Sequence, residues 1–270
     1  MLIFGMGYTA SRFAERLRAL GWEVTATRRM SDGDAVAFDD VVAVRSALET
    51  VTHILSSVPP LGEGGDPVLM KYGAAITEIN VPWIGYLSST GVYGDCGGAW
   101  VDETAPVGLG RRSARAEADL DWQRLNDAVR IFRLPGIYGP GRSAIERVEH
   151  GKAHRIDLPD QIFSRVHVDD IGDALFAGLD GPSGVFNIAD DQPASQNDVI
   201  EHACDLLGIE WPALMALDAA GLSPMARGFY AENRRISTMK AKRLLEWQPQ
   251  YPTYKQGLAA VLRARNTAGG

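Results

Sequence analysis

The chain has 270 residues, room for one or two domains at about 150 residues each. Its 46% hydrophobic and 23% charged residues are ordinary globular usage and exclude long disorder or a fibrous repeat. A net charge of −7 disfavours non-specific nucleic-acid binding, the distant pair Cys96 and Cys204 excludes a disulfide framework, and no apolar run reaches membrane-spanning length. MLIFGMGYTA carries no basic region ahead of an apolar stretch. The expectation is a cytoplasmic protein with a small-molecule substrate and no nucleic-acid, membrane or metal partner.

Short apolar runs alternate with helix-period segments, the pattern of an α/β fold. Leu2-Ile3-Phe4 reads as a strand ending at Gly5. A helix follows from Thr9 to Leu20, with Phe13, Leu17 and Leu20 on one face and Gly21 as its stop. Residues 22–27 and 52–58 read as strands, the second closed by Pro59-Pro60. Loop follows, then a helix over 68–79 with Tyr72, Ile76 and Ile79 inward, then a strand over 83–88. A helix over 113–126 precedes a strand over 129–134. Helices over 169–179 and 197–207 flank a strand over 185–188. Parallel strands joined by helices bind ligands at the strands' carboxyl ends, which places the chemistry after Phe4, Thr27, Val58, Ser88 and Leu134. The loop-rich C-terminal third, with Pro193, Pro212, Pro224, Pro249 and Pro252, reads as a smaller lobe closing over that edge.

Gly5-Met6-Gly7-Tyr8-Thr9-Ala10 follows a strand and opens a helix, the G-x-G-x-x-A form of a dinucleotide fingerprint. Gly5 allows the tight turn, Gly7 admits a pyrophosphate close to the backbone, and Ala10 lets helix and strand pack. The first helical turn, with Tyr8 and Thr9, offers N–H groups and positive dipole to phosphates. The second strand ends Thr27-Arg28-Arg29, with no carboxylate until Asp32. A carboxylate there bonds a ribose 2′-OH, whereas a guanidinium suits a 2′-phosphate, so Arg28 and Arg29 favour NADP over NAD. The competing reading is a pair of solvated arginines. Ser56, Ser57 and Val58 end a strand beside the glycine turn and are expected to line the cofactor.

Ser88-Ser89-Thr90-Gly91-Val92-Tyr93-Gly94, at a strand end, resembles the extended short-chain dehydrogenase/reductase family of epimerases, dehydratases and related reductases. The glycine turn, Arg133-Leu134-Pro135-Gly136-Ile137-Tyr138-Gly139-Pro140-Gly141, Arg165-Val166-His167-Val168-Asp169-Asp170 and Val185-Phe186-Asn187-Ile188 match it in order. The resemblance implies a doubly wound Rossmann sheet with a dinucleotide across its edge. The core then spans 1–140, rejoined by 165–190, and 141–164 with 191–270 form the substrate-side lobe. It also implies that Pro135, Gly136 and Ile137 lie along the nicotinamide, and that Asp169 or Asp170 caps a helix. A basic residue of Asn233-Arg234-Arg235, taken as Arg235, meets an anionic substrate, and a homodimer pairs through the helix of Arg111.

That family works with a Ser, and with a Tyr-x-x-x-Lys on the following helix. Ser89 matches the serine, but Arg111 and Arg115 stand where the Tyr and Lys belong. At about 100° per residue from Ala114, Arg111 falls at about 60° and Arg115 at about 100°, beside Ala118 and Trp122 at about 40° and 80°. Alternatively the helix frays before Arg111 and both side chains reach water. A guanidinium has no lone pair for a proton, so Arg111 is not a base. It is suited to stabilise an alkoxide or clamp an anionic substrate, with Arg115 holding ribose hydroxyls. Tyr93 is the nearest substitute phenol, its alternative being a structural hydroxyl. Two hypotheses follow: an NADP-dependent oxidoreductase or epimerase with an altered proton donor, and a catalytically inactive NADP-binding sensor.

Overall fold

The computed structural model describes residues 1–31, 33, 35–62, 65–110 and 113–268. In chain order it contains β1 (Leu2–Phe4), α1 (Tyr8–Ala19), β2 (Thr25–Arg28), β3 (Ala35–Ala37), α2 (Val41–Leu48), β4 (His53–Ser56), α3 (Pro67–Glu78) and β5 (Trp83–Ser89). Then come β6 (Trp100–Val101), α4 (Ser113–Leu125), β7 (Val129–Leu134), β8 (Gly136–Tyr138), α5 (Ala144–Glu149), β9 (Arg155–Ile156), β10 (Arg165–His167) and α6 (Val168–Asp180). The chain finishes with β11 (Gly184–Asn187), α7 (Gln196–Leu207), β12 (Leu214–Met215), α8 (Pro224–Phe229), β13 (Arg235–Ile236), α9 (Met239–Leu244) and α10 (Tyr254–Ala268).

Seven strands form one sheet in the order β3-β2-β1-β4-β5-β7-β11, every neighbouring pair parallel. This is the doubly wound Rossmann arrangement, and the strand order reverses between β1 and β4, where such folds open a ligand crevice. Both faces are covered because successive side chains alternate. Leu2, Phe4, Ile54, Ile84 and Ile131 pack toward α2, α3 and α4, whose Val44, Tyr72, Ile76 and Trp122 meet them. Ile3, Leu55, Leu87 and Phe132 pack the other way, against Phe13 and Leu17 of α1 and Ile171 and Leu175 of α6. Each of these fully buried side chains contributes about 1.5–3 kcal/mol through burial.

A separate apolar cluster builds the lobe, with Ile145 and Val148 of α5, Val199, Ile200 and Cys204 of α7, and Leu258 and Val261 of α10. Its helices start on strong local signals. Ser143 with Glu146, and Ser195 with Asp198, form capping boxes, and Gly208 at φ +66° ends α7. Among the described residues, no helix is long and apolar enough to cross a membrane.

Two expectations are corrected here. The second strand starts at Thr25 rather than residue 22, because Trp22 still belongs to the end of α1, its N–H donating to Leu17 O at 3.0 Å. The cap of α6 is His167, whose Nδ1 accepts from Asp169 N at 3.3 Å, while Asp170 turns away to accept from Gln250 N at 2.6 Å.

Candidate active site

The glycine turn is fixed by sterics. Gly5 sits at φ +85°, and a Cβ there would lie 3.0 Å from Val58 Cγ2 and 3.1 Å from Ser57 Oγ. L side chains rarely adopt this backbone conformation, and the neighbouring atoms leave no room. The turn is tied down on both sides: Gly5 N donates to Thr27 Oγ1 at 3.3 Å, and Ser57 Oγ donates to Gly5 O at 2.7 Å. Gly7 caps α1 without a side-chain hydrogen bond, and a Cβ on it would meet no atom within 4 Å. The first N–H groups of α1 therefore face open space with positive dipole behind them. Ala10, fully buried, lets α1 lie against the sheet.

A trough of ≈ 390 Å³ runs along the carboxyl ends of the strands from this turn. Gly7, Tyr8, Thr9 and Ala10 line one end, and Ser57 joins them from β4. Ser89 and Arg115 line the middle, and Pro135, Gly136 and Ile137 the far side. Residues from five separated segments thus converge on one groove. Phe229, 48% exposed, closes its rim and also lines a smaller cavity of ≈ 130 Å³ reached past Ser89. Ile162, Phe163, Glu232 and Arg234 line that second space.

Ser89 is held by its own turn, its Oγ accepting from Gly91 N at 3.1 Å. Arg115 projects from α4 into the trough and its Nη1 donates to Tyr86 Oη at 3.2 Å. Tyr86 is fully buried and stacked on Trp122 at 5.2 Å, and burial pushes its phenol well above the usual tyrosine range. It anchors the guanidinium as a hydroxyl.

Other expected residues fall elsewhere. Ser56 is fully buried beneath the trough, and its Oγ has no hydrogen-bond partner. Val58 packs against the Gly5 turn rather than lining the groove. Arg28 and Arg29 are exposed at the end of β2, outside the trough lining. Tyr93 is 2% exposed, its hydroxyl donating to Asn187 Oδ1 at 2.8 Å and accepting from Arg133 Nη1 at 2.9 Å. Burial pushes its phenol pKa above the usual tyrosine value, against the pull of Arg133. Tyr93 is a structural hydroxyl in this arrangement and lines neither cavity. Arg235 turns to Gly98 O, whereas Arg234, one residue earlier and on the opposite face, lines the smaller cavity. Side chains alternate along the β13 segment, so Arg234 and not Arg235 lines this cavity. Arg111 lies outside the described residues.

Several residues emerge only in three dimensions. Arg234 Nη1 pairs with Glu232 Oε2 at 2.9 Å in the smaller cavity. Beneath the floor, Arg133 Nη2 and Nε reach Asp119 at 2.7 and 3.1 Å, and Ser88 Oγ donates to the same carboxylate at 2.5 Å. This buried network ties β5, α4 and β7 together directly under Ser89. The charges along α4, Arg115, Glu117, Asp119, Asp121 and Arg124, give no sign of it, because Asp119 looks like one more helix-surface acid. Among the described residues, no three His, Cys, Asp or Glu side chains cluster as metal ligands.

No family model matches the sequence. Protein YeeZ of Escherichia coli K12 is 29% identical over 247 residues, covering 78% of this chain and 84% of YeeZ. A functionally unknown conserved protein from Silicibacter pomeroyi DSS superposes with a TM-score of 0.90 at 39% identity, covering 97% of this chain and 98% of its own. The human epimerase family protein SDR39U1, solved with NADPH, has a TM-score of 0.78 at 16% identity over 97% of this chain and 99% of its own. Other structures of the same fold, an epimerase and a dehydratase, hold NAD.

Proposed function

We propose that this chain, which belongs to one family with the Silicibacter pomeroyi protein, is an NADP-binding oxidoreductase or epimerase-like enzyme with a non-standard proton acceptor. The observation that carries the reading is the single trough uniting the glycine turn, Ser89, Arg115 and the Pro135–Ile137 segment. A dinucleotide fits this trough on the chain's own geometry: Gly7 leaves a bare approach to uncapped helix N–H groups, and Gly5 cannot carry a side chain. When bound, its nicotinamide supplies or accepts a hydride.

The chain's residues divide the remaining work. The N-terminus of α1 binds the pyrophosphate, and Arg28 and Arg29 meet the 2′-phosphate that distinguishes NADP from NAD. Arg115 holds ribose hydroxyls in the lysine's place, its fork steadied by Tyr86. Ser89 hydrogen-bonds the substrate oxygen, and Arg111 stabilises that oxygen as charge develops. Glu232 is the carboxylate lining the smaller cavity with Ser89, and it accepts the hydroxyl proton on oxidation and returns it on reduction. Arg234 keeps that carboxylate oriented.

Following NADPH absorbance against aldehydes, ketones and sugar nucleotides tests this. Turnover is expected, falling by about 10²–10⁴-fold in Glu232→Gln and also lost in Ser89→Ala. Tight NADP binding without turnover on any of these classes identifies the protein as an inactive sensor instead. Arg28→Ala should weaken NADP while leaving NAD unchanged; equal binding of both, unaffected by the substitution, refutes the NADP assignment.

A further inference from the structure

A third and larger opening, ≈ 670 Å³, lies on the lobe between β8, α5, β10, α7 and α10. Four permanent cations line it: Arg142 after β8, Arg147 on α5, Lys152 just beyond α5, and Arg165 on β10. His150 joins them. A chain of net charge −7 gathers these groups in one place against its overall balance.

Among the described residues, none of the four forms an ion pair with a carboxylate, although the Asp190 charge acts on Arg165. Arg165 is 7% exposed, yet its nitrogens meet neutral acceptors: Phe163 O and Ala194 O at 2.9 Å each, Ser195 O at 3.2 Å and Gln196 Oε1 at 3.5 Å. Asp190 is the carboxylate whose charge acts most on Arg165, and its backbone N–H donates to Arg165 O at 2.7 Å, but no ion pair joins the two side chains and Asp190 lies outside the lining. Arg142 rests over the Tyr8 ring at 5.8 Å, and among the described residues neither it nor Arg147 nor Lys152 pairs with a carboxylate. The one acid in the lining, Glu146, is used by the backbone, accepting from Gly141 N at 2.9 Å and Ser143 N at 2.8 Å. Unpaired cations are not the rule on this lobe, since Arg155 meets Glu201 at 2.7 Å and Arg265 meets Glu149 at 2.6 Å. Tyr138 lines the cleft, 7% exposed, and its hydroxyl finds no partner in the protein. Three cations without an ion-pair partner among the described residues, beside a guanidinium whose hydrogen bonds all go to neutral acceptors, make the cleft electropositive and favourable to an anion.

We propose that this cleft is an anion site for the phosphate or diphosphate group of a small molecule, separate from the dinucleotide trough. Guanidinium forks from Arg142 and Arg147 grip phosphoryl oxygens two at a time, Lys152 adds a mobile point charge, and Arg165 supplies fixed positive potential from below. Arg142 lines both the cleft and the trough, so an anion here sits next to whatever the trough holds. The inference goes beyond the cofactor assignment and stands without it.

Calorimetric titration of the full chain with pyrophosphate tests the proposal, first alone and then with saturating NADP. Without NADP the N-terminus of α1 is open to a second equivalent, whereas under saturating NADP one equivalent of pyrophosphate should bind, more weakly as salt rises. The double variant Arg147→Ala/Lys152→Ala should bind it at least about tenfold more weakly, with its NADP titration unchanged, because neither side chain lines the trough. No pyrophosphate binding, loss of binding under saturating NADP, or wild-type affinity in the double variant overturns the proposal. Pyrophosphate binding that responds to the double variant, in a protein that gives no heat with NADP, supports the cleft and refutes the trough assignment alone.

Discussion

Replacing Asp119 with leucine removes the anion beneath the candidate site. The pair it forms with Arg133 is enclosed, the side chains being 0% and 3% exposed, so the guanidinium is left charged and unpaired in the interior. Breaking a buried pair in this way costs about 3–5 kcal/mol. Ser88 loses its acceptor as well, adding about 1 kcal/mol. With a urea m-value of about 3 kcal/mol per molar, the unfolding midpoint should fall by about 1.3–2 M. The double variant Asp119→Leu/Arg133→Met replaces the pair with apolar groups and should recover most of that loss. These two variants and the single Arg133→Met, compared by urea unfolding followed by circular dichroism, give the coupling. A midpoint drop below about 0.3 M in Asp119→Leu, or a double variant no more stable than Asp119→Leu, would refute the claim that this pair supports Ser88 and Ser89.

Two further expectations follow. Gly5→Ala should cost about 1–2 kcal/mol, read as a lower melting temperature, and should abolish dinucleotide binding; a wild-type titration would contradict the turn geometry. Burial pushes the Asp190 carboxyl up to about 8, against the pull of Arg165, and that of Asp170 up to about 7. Both values exceed the unfolded carboxylate range, so the folded chain holds protons that the unfolded chain has lost. Stability should therefore fall as pH rises from about 4 to about 8 and level off above. Asp190→Asn should flatten part of that fall in urea midpoints taken across the range, and an unchanged slope would refute the assignment.

The core of the fold was legible because its signals are local and repeated. The continuous apolar run Leu2-Ile3-Phe4 marks a strand buried on both faces, and the helical spacing of Phe13 and Leu17 marks a helix that buries one. The segment between Thr27 and Thr52 was opaque. β3 is three residues long, and α2 opens Val41-Val42, β-branched residues that oppose helix until Asp40 caps it by accepting from Ala43 N at 3.0 Å. Gly5, Gly7, Ser57, Ser89 and Pro135–Ile137 could be named from sequence because each lies at a strand end, and Arg115 because it stands where the resembling family has its lysine. The partners brought in from the lobe could not. Glu232, Arg234 and Phe229 reach Ser89 across more than a hundred residues, and nothing local marks which of Arg234 and Arg235 faces inward. For Tyr93 the sequence left a substitute phenol and a structural hydroxyl open, and only the fold brings Arg133 and Asn187 to its hydroxyl from other strands.

The account depends on the trough accepting a nicotinamide dinucleotide, and isothermal titration of the pure full chain with NADP addresses that directly. One equivalent should bind with measurable heat, more tightly than NAD, and Arg115→Ala should weaken it by about tenfold through the loss of charged hydrogen bonds. Absence of heat with both NADP and NAD contradicts the assignment.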